Sequence, residues 1–543
     1  MNVEKSKVDI AVIMACGMGE RLAPLTYDTP KGLIKVNNER LVERQVIQLK
    51  EAGIDNIIIV VGYLKRQFEY LKNKYDVEIV YNPYFKTTNT LWTLKCIIPY
   101  IRNKKIYISC SDIYFKNNIF RQYEGSSHFK GRFFSGKTNE WGFTLDNKDN
   151  IIKISKSADD SYCMVGVAYF ESKYTNLLCD LAAELLNKVG NEKLYWEEIL
   201  FLYIDQFKNY KLERIKEDNI LEFDNYNEYI EYHDRGDSTG SLSMEIISRV
   251  FDIKEKNIKV LECEKNGITN RSYIFNINND SKKYLMRVPG HETNKFIDRK
   301  IEYEAIKKLS KFDITEKIIY FDEDLGYKIS EYFNDAVCIN QNVDDDLKLA
   351  MSEIKKMHNL CRDIIIEKNK NIFDLVECHR KIIEENKFEY PFSDENNLKI
   401  EINKITQYIK SFNRPCIFCH GDPNPTNMLK TKYGIKFIDF EYTMMSDPLF
   451  EISMFALNCS FDVKGALKLL KYYIDSPYDN FILKNLSELD LKKLIIGYFV
   501  LSYYYSYLWA INLQNFNSID YREVINFYHQ RSIEGINEFL KYE

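Results

Sequence analysis

The stretch IFCHGDPNPTNMLKTKYGIKFIDFEY, residues 417–442, decides how the second half of the chain is read. Two short apolar runs, Cys416–Cys419 and Ile435–Phe440, read as buried strands on either side of a polar loop. His420, Asp422 and Asn427 sit on that loop, and the second run leads into Asp439 and Glu441. Asp and Asn are common in turns for local hydrogen-bonding reasons, so each alone signifies only a polar connection between core strands. Together they set two carboxylates and an amide at three fixed spacings, which turn chemistry alone does not require.

Phosphoryl transfer does require such a set. One carboxylate orients and deprotonates an attacking hydroxyl, while an amide and a second carboxylate hold Mg2+ on the phosphates of ATP. The spacing matches the H-x-D-x-x-x-x-N catalytic loop of kinases. HGDPNPTN followed by IDFEY resembles the choline/ethanolamine kinase family. That resemblance implies a two-lobed protein-kinase-like (α+β) fold, Asp422 as catalytic base, Asn427 and Asp439 as Mg2+ ligands with Glu441 nearby, and Asn424 at the substrate.

A second signal lies in the first 40 residues. The apolar run Asp9–Ala15 leads into CGMGERLAPLTYDTPKGL. A strand running into a Gly-x-Gly turn is a phosphate cradle: Gly17 and Gly19 let backbone N–H groups approach an anion, and Arg21 and Lys31 add charge. Alternation of helix and strand follows, with a helix over Leu41–Gly53, a strand over Asn56–Val61, a helix over Arg66–Tyr75, and strands over Glu78–Tyr81 and Lys104–Cys110. That order argues for a mixed, mostly parallel sheet of Rossmann-like α/β type. Ligands then belong beyond the carboxyl ends of the strands, where Asp112 closes KKIYISCSD.

The string A-x-G-x-G-x-R-L-x-P-L-T-x-x-x-P-K resembles the nucleotidyltransferases, and within them the CTP:phosphocholine cytidylyltransferases. VERQVIQLKEAGI, VVGY, NEWGF, YWEEI and LEFDNYNEYI add to the likeness. The resemblance implies Arg21 and Lys31 in catalysis, Ala15, Gly17, Gly19 and Asn89 at the nucleotide, and Asp112, Glu222 and Asp224 on a metal. Glu222 and Asp224 alternate along a strand and so face one side; a solvated, charged edge would look the same. Trp141, Tyr195 and Trp196, with Glu140, Glu197 and Glu198 as counter-charges, suit a quaternary ammonium, which aromatic faces hold without N–H donors. Large aromatics also fill cores.

HDRGDSTGSLS, residues 233–243, breaks the apolar periodicity and reads as a linker. It divides the chain into 1–233, a nucleotidyltransferase domain, 234–243, and 244–543, a kinase-like domain. Beyond it, Ile258–Glu262, Tyr273–Ile277 and Tyr284–Val288 read as strands of a small antiparallel lobe. The turn NGITNRSY, with Asn270, resembles the G-x-T-N string of choline kinases and implies contact with ATP. By the same resemblance Arg287 takes the place of the usual strand lysine, Glu302 pairs with it (Glu304 competing), and Glu331 opens the hinge beside adenine. Tyr504, Tyr505 and Trp509, on a late Tyr-rich helix, would hold the trimethylammonium group.

At 543 residues the chain exceeds one core, so two to four domains are expected. Seventy-five basic and 80 acidic residues with no basic block give no support to a nucleic-acid partner. Twelve cysteines without repeated spacing fit buried thiols in a reducing cytoplasm. Residues 494–519 carry no formal charge, yet their tyrosines, serines and amides argue for a buried helix rather than a membrane span. The combined expectation is CDP-choline synthesis: ATP-dependent phosphorylation of choline, then CTP-dependent cytidylyl transfer to phosphocholine, both with Mg2+. Ethanolamine as substrate and a sensor or scaffold with one degenerate domain are the alternatives, and oligomeric state is left open.

Overall fold

A computed structural model describes residues 5–233, 237–264, 270–290, 293, 297–367, 370–517 and 521–542. Its contacts divide the chain into two compact units, 1–282 with 286–291 and 283–285 with 292–543. The turn residues 266–269 lie outside the described residues.

In the first unit the apolar runs become buried strands. β1 (Ile10–Ala15) lies between β2 (Ile57–Val61) and β4 (Ile106–Cys110), parallel to both, and β3 (Glu78–Tyr81) extends the parallel set beyond β2. Period 2 along β1 sorts its side chains onto two cores. Ile10, Val12 and Met14 join Leu91, Leu94 and Ile97 of helix α2 (Thr90–Ile101). Ala11, Ile13 and Ala15 join Val42, Val46 and Leu49 of helix α1 (Leu41–Glu51). Burial on both faces is why these strands read as continuous apolar runs instead of alternating ones.

Beyond β4 the sheet turns antiparallel. β5 (Ile113–Phe115) is a short spur, β6 (His128–Thr138) and β7 (Gly142–Leu145) follow, then β8 (Ile151–Ser155) and β9 (Ala158–Phe170). The strand order is β8-β7-β9-β4-β1-β2-β3, with β6 pairing antiparallel with β9. Helices α3 (Ser172–Leu186) and α4 (Glu198–Tyr203) precede β10 (Lys211–Arg214), which runs parallel to β6. β11 (Ile220–Glu222) pairs antiparallel with β5, bringing Glu222 opposite Ile113, one residue from Asp112. Helix α5 (Tyr226–His233) closes this part.

The described part of the segment read as a linker, 237–243, is packed. Ser241 and Ser243 are fully buried and Thr239 nearly so. Asp28, inside the Leu25–Pro30 loop, accepts from Ser241 Oγ at 3.0 Å and from Ser243 N–H at 2.7 Å. Lys35 N–H donates to Thr239 O, and Thr29 Oγ1 to Gly240 O. Polarity here marks a segment whose hydrogen bonds are met inside the protein. α6 (Leu242–Phe251) and the antiparallel pair β12 (Ile258–Glu264) and β13 (Asn270–Ile277) follow in the same unit. Tyr27 Oη donates to Glu264 O at 3.1 Å, and the Arg271 guanidinium lies 5.2 Å from the Tyr27 ring centroid. β14 (Lys283–Pro289) comes next in the chain and carries Arg287, which is buried.

The second unit is mainly helical. α7 (Arg299–Leu309) is capped by the Asp298 side chain and followed by the β15 (Ile318–Phe321) and β16 (Lys328–Glu331) hairpin. α8 (Asp344–Cys361), α9 (Ile372–Glu385), α10 (Glu395–Ser411), α11 (Pro448–Asn458), α12 (Val463–Asp475), α13 (Glu488–Asn517) and α14 (Arg522–Leu540) share one large core. α13 is long and apolar enough to cross a membrane by length, but 94% of its most apolar window is buried inside the fold.

Candidate active sites

The first site assembles at the carboxyl ends of β1 and β4. Ser111 N–H donates to Met14 O at 3.1 Å, tying the turn that bears Asp112 to the end of β1. Gly19 adopts φ +64°, and a Cβ there would stand 3.0 Å from Lys31 Cβ and Thr26 Cγ2; only glycine lets the loop fold this closely over Lys31. Thr26 Oγ1 donates to Gly19 O and fixes the loop.

Lys31 Nζ lies 2.8 Å from Asp112 Oδ2. Burial on its own would raise the Asp112 carboxyl, but the Lys31 charge, the hydrogen bonds from Lys31 and the backbone, and the Arg21 charge together hold the group below the usual range. Lys31 is correspondingly raised. Glu222 is pushed up to about 7, by burial and then by the charge of Asp112. Two carboxylates that repel each other in this way form a hard-oxygen donor set whose strain a divalent cation relieves, so Asp112 and Glu222 fit Mg2+. Asp224 instead pairs with Arg21 at 3.3 Å on the exposed side, Arg21 being 75% exposed. Glu140 is half-buried and raised, by burial and then by the Asp224 charge. Ala15 ends β1 in the core, and Gly17 has open space beside it.

Two residues expected here do something else. Asn89 caps α2, accepting from Thr90 N–H at 2.8 Å. Trp196 is 0% exposed, stacked at 9° and 5.9 Å on Phe129 and packed against Phe170, so it offers no face to a ligand. Its neighbour Tyr195 is 51% exposed and meets Trp141 edge-on at 6.4 Å. Phe201, which sequence reasoning missed, completes this aromatic group at 5.9 Å from Trp141. Glu197 lies beside it, with Oε2 buried and without a hydrogen-bond partner among the described residues; burial, then the charge of Asp112, push its carboxyl up to about 7.

The second site is the 417–442 stretch. β17 (Ile417–Cys419) pairs with β20 (Met444–Ser446), and β18 (Met428–Thr431) pairs with β19 (Gly434–Phe437). The two apolar runs therefore do not pair with each other, and the polar loop between them contains a strand of its own. Gly421 has φ +84°, and a Cβ would collide with Tyr442 O at 1.9 Å, so the loop passes against 440–442 only as glycine. His420 Nε2 bonds Ile438 O at 2.8 Å and Nδ1 accepts from Asp422 N–H. Asp439 sits at φ +65° just after β19.

Asp422 is held from both sides. Asn458 Nδ2 donates to Oδ1 at 2.8 Å, and Asn427 Nδ2 donates to Oδ2 at 3.3 Å and to the backbone oxygen at 3.1 Å. Burial raises the carboxyl above its usual value, with Glu441 adding to it. The Asn427 NH2 is turned to Asp422, and the N–H of Ile438, the residue before Asp439, donates to Asn427 O at 3.0 Å; the Asn427 amide oxygen and the Asp439 carboxylate are hard-oxygen ligands of the kind that suits Mg2+. Glu441 is buried in an ion pair with Arg299 at 3.0 Å, and Glu302 pairs with the same guanidinium at 2.9 Å. Glu304 pairs with Lys308 instead. Asn424 Oδ1 accepts from Thr426 N–H and Oγ1, the work of a turn former.

Of the late-helix aromatics, Tyr505 is near enough to Asp422 to feel its charge, as are Tyr442 and Tyr528, neither singled out from sequence. Tyr504 is directed elsewhere: its hydroxyl donates to Glu395 and accepts from Arg380 Nε, with the guanidinium 5.0 Å from its ring. Trp509 is half-buried, 6.4 Å from Tyr521. Glu331 ends β16, paired with Lys317, and Asn270 begins β13 in a buried position.

Comparison with known proteins follows this division. The Nucleotidyl transferase family matches residues 10–127, and the Choline/ethanolamine kinase family matches residues 261–495. A 2-aminoethylphosphonate cytidylyltransferase of Lancefieldella rimae is 35% identical over 201 residues, 37% of this chain and 80% of that protein. A choline-phosphate cytidylyltransferase of Haemophilus influenzae is 31% identical over 221 residues, 40% of this chain and 94% of that protein. The crystal structure of a choline kinase from Streptococcus pneumoniae is 19% identical and covers 54% of this chain and 98% of its own, with a TM-score of 0.45. The chain belongs to the nucleotidyl transferase family through its first half and carries a choline/ethanolamine kinase domain after it, two phosphorus-group transferases in one polypeptide.

Proposed function

We propose that residues 244–543 phosphorylate choline with ATP, and that residues 1–233 couple the resulting phosphocholine to CTP, giving CDP-choline and pyrophosphate. The observation that carries this reading is the pairing of Lys31 with Asp112 under the glycine loop. It places a cation and a metal-type carboxylate together at the strand ends where a triphosphate is expected. In the second site Asp422, held by Asn458 and Asn427, accepts the proton of the choline hydroxyl as it attacks the γ-phosphorus; its raised carboxyl is the better base for being raised. In the first, Lys31, Arg21 and the Gly17–Gly19 amides hold the phosphates while phosphocholine oxygen attacks the α-phosphorus in line. Mg2+, held by Asp112 and Glu222 in one site and by Asn427 and Asp439 in the other, would neutralise charge on the nucleotide phosphates when bound.

All twelve cysteines are free, which supports a reducing, cytoplasmic setting. A second reading, a primary amine such as ethanolamine, is favoured by Glu197: a primary ammonium could donate to its unpartnered oxygen, and a trimethylammonium could not. Incubation with ATP, CTP and an equimolar mixture of amino alcohols, followed by mass spectrometry of the products, tests both. CDP-choline as the main product is expected, a CDP-linked primary amine would establish the second reading, and no CDP adduct at all would overturn both.

A further inference from the structure

The aromatic group beside the first site already has a cation. Lys156 Nζ stands 5.0 Å from the Trp141 ring centroid and 5.2 Å from that of Phe201. The same ammonium is ion-paired with Glu198, whose other oxygen accepts from Tyr195 N–H at 2.9 Å. The chain thus provides the aromatic rings, the counter-ion and the positive charge of a complete ammonium site, with Glu197 beside it carrying one buried oxygen, Oε2, that has no hydrogen-bond partner among the described residues.

Resting on the reading that Trp141 receives the substrate's ammonium, we propose that Lys156 sets the selectivity of the cytidylyl step by competing with the substrate's cationic head for Trp141 and Glu198. A ring face that holds one cation repels a second at the same distance, because both draw on the same quadrupole and the charges oppose each other. Lys156 is about half exposed, so it can swing into water and release Glu198 as the counter-ion of the incoming head. The competition falls unequally on different substrates. A trimethylammonium has no N–H donor and depends on aromatic faces and a nearby carboxylate. A primary ammonium can instead donate to Glu197 and leave Lys156 where it is.

The test is steady-state kinetics of the full chain with CTP and either phosphocholine or phosphoethanolamine, in the K156Q, K156R and W141L variants. K156Q is expected to lower the KM for phosphocholine by about tenfold and that for phosphoethanolamine by less than about threefold, with the KM for CTP as internal reference. K156R, which keeps the charge, should retain the wild-type ratio. W141L should raise the KM for phosphocholine by about tenfold. If K156Q leaves the phosphocholine KM unchanged, raises it, or shifts both substrates equally while W141L has its expected effect, the role of Lys156 is overturned and the site stands. If W141L leaves the phosphocholine KM unchanged, the placement of the substrate head at Trp141 is overturned, and the competition with it.

Discussion

Lys31 Nζ sits 2.8 Å from Asp112 Oδ2, joining the end of the glycine loop to the end of β4. Each group holds the other in its charged form, and neither is fully exposed. A site kept charged before substrate arrives needs little rearrangement to meet a triphosphate.

Asp112→Ala removes one metal-type ligand and leaves the Lys31 ammonium facing the nucleotide alone. Pyrophosphate release from CTP and phosphocholine is expected to fall by about 10³-fold, with the far-ultraviolet circular dichroism unchanged. Activity within tenfold of wild type at saturating Mg2+ would remove Asp112 from the site.

Asp422→Asn is expected to abolish ATP-dependent choline phosphorylation while added phosphocholine and CTP are still converted. Asp112→Ala should show the reverse pattern and accumulate phosphocholine. A mixture of the two variants should make CDP-choline from choline, because phosphocholine diffuses between molecules. One variant that silences both half-reactions while folded would contradict separate sites. Asn458→Ala, which frees Asp422 Oδ1, should lower kcat for phosphorylation by about 10- to 100-fold.

Tyr505 and Tyr504 are neighbours in sequence with different tasks. Tyr505→Leu should raise the KM for choline by about fivefold, because the Asp422 charge reaches its hydroxyl. Tyr504→Phe deletes the bonds to Glu395 and Arg380, and should cost about 1–3 kcal/mol of stability while moving that KM less than twofold. Choline is expected to outcompete ethanolamine at equal concentration in this half-reaction; the opposite ranking in kcat/KM would remove the aromatic pocket.

His379 on α9 is buried neutral, with Nδ1 bonded to Asn512 Nδ2 at 2.9 Å. Burial, and then the Lys370 charge, bring its pKa from 6.5 to about 4. Between those values the unfolded chain binds the proton and the folded chain does not. Stability is therefore fully present above pH 6.5 and is lost as the pH falls through about 4, by on the order of 3 kcal/mol. Urea midpoints measured from pH 7 to 4.5 should fall accordingly, and His379→Gln should flatten this part of the profile.

Much of both sites was legible in the residues, because the chemistry forces types and spacings within one loop. Gly19, Lys31 and Asp112, or Asp422 and Asn427, come together through a turn, a strand end and one strand pairing. What escaped depended on partners far along the chain. Tyr195 and Trp196 are adjacent and face opposite ways, and nothing in the dipeptide says which one enters the core beside Phe129. Tyr504 looks like a cage aromatic until Glu395, more than 100 residues earlier, takes its hydroxyl together with that of Tyr507. Asn89 and Asn424 carry the residue type of a ligand and do the work of a helix cap and a turn.

The burial of Asp28 under Ser241 and Ser243 bears on how such a gene can change. A chain broken after His233 keeps Asp28 but loses two of its hydrogen-bond donors, and a buried carboxylate left short of donors costs more than its bonds supplied. A lineage that sheds its second half therefore does best to retain residues through Ser243 or to replace Asp28 in the same interval. Joining two coding sequences needs one recombination event; parting these two needs a breakpoint in the right place or a compensating substitution.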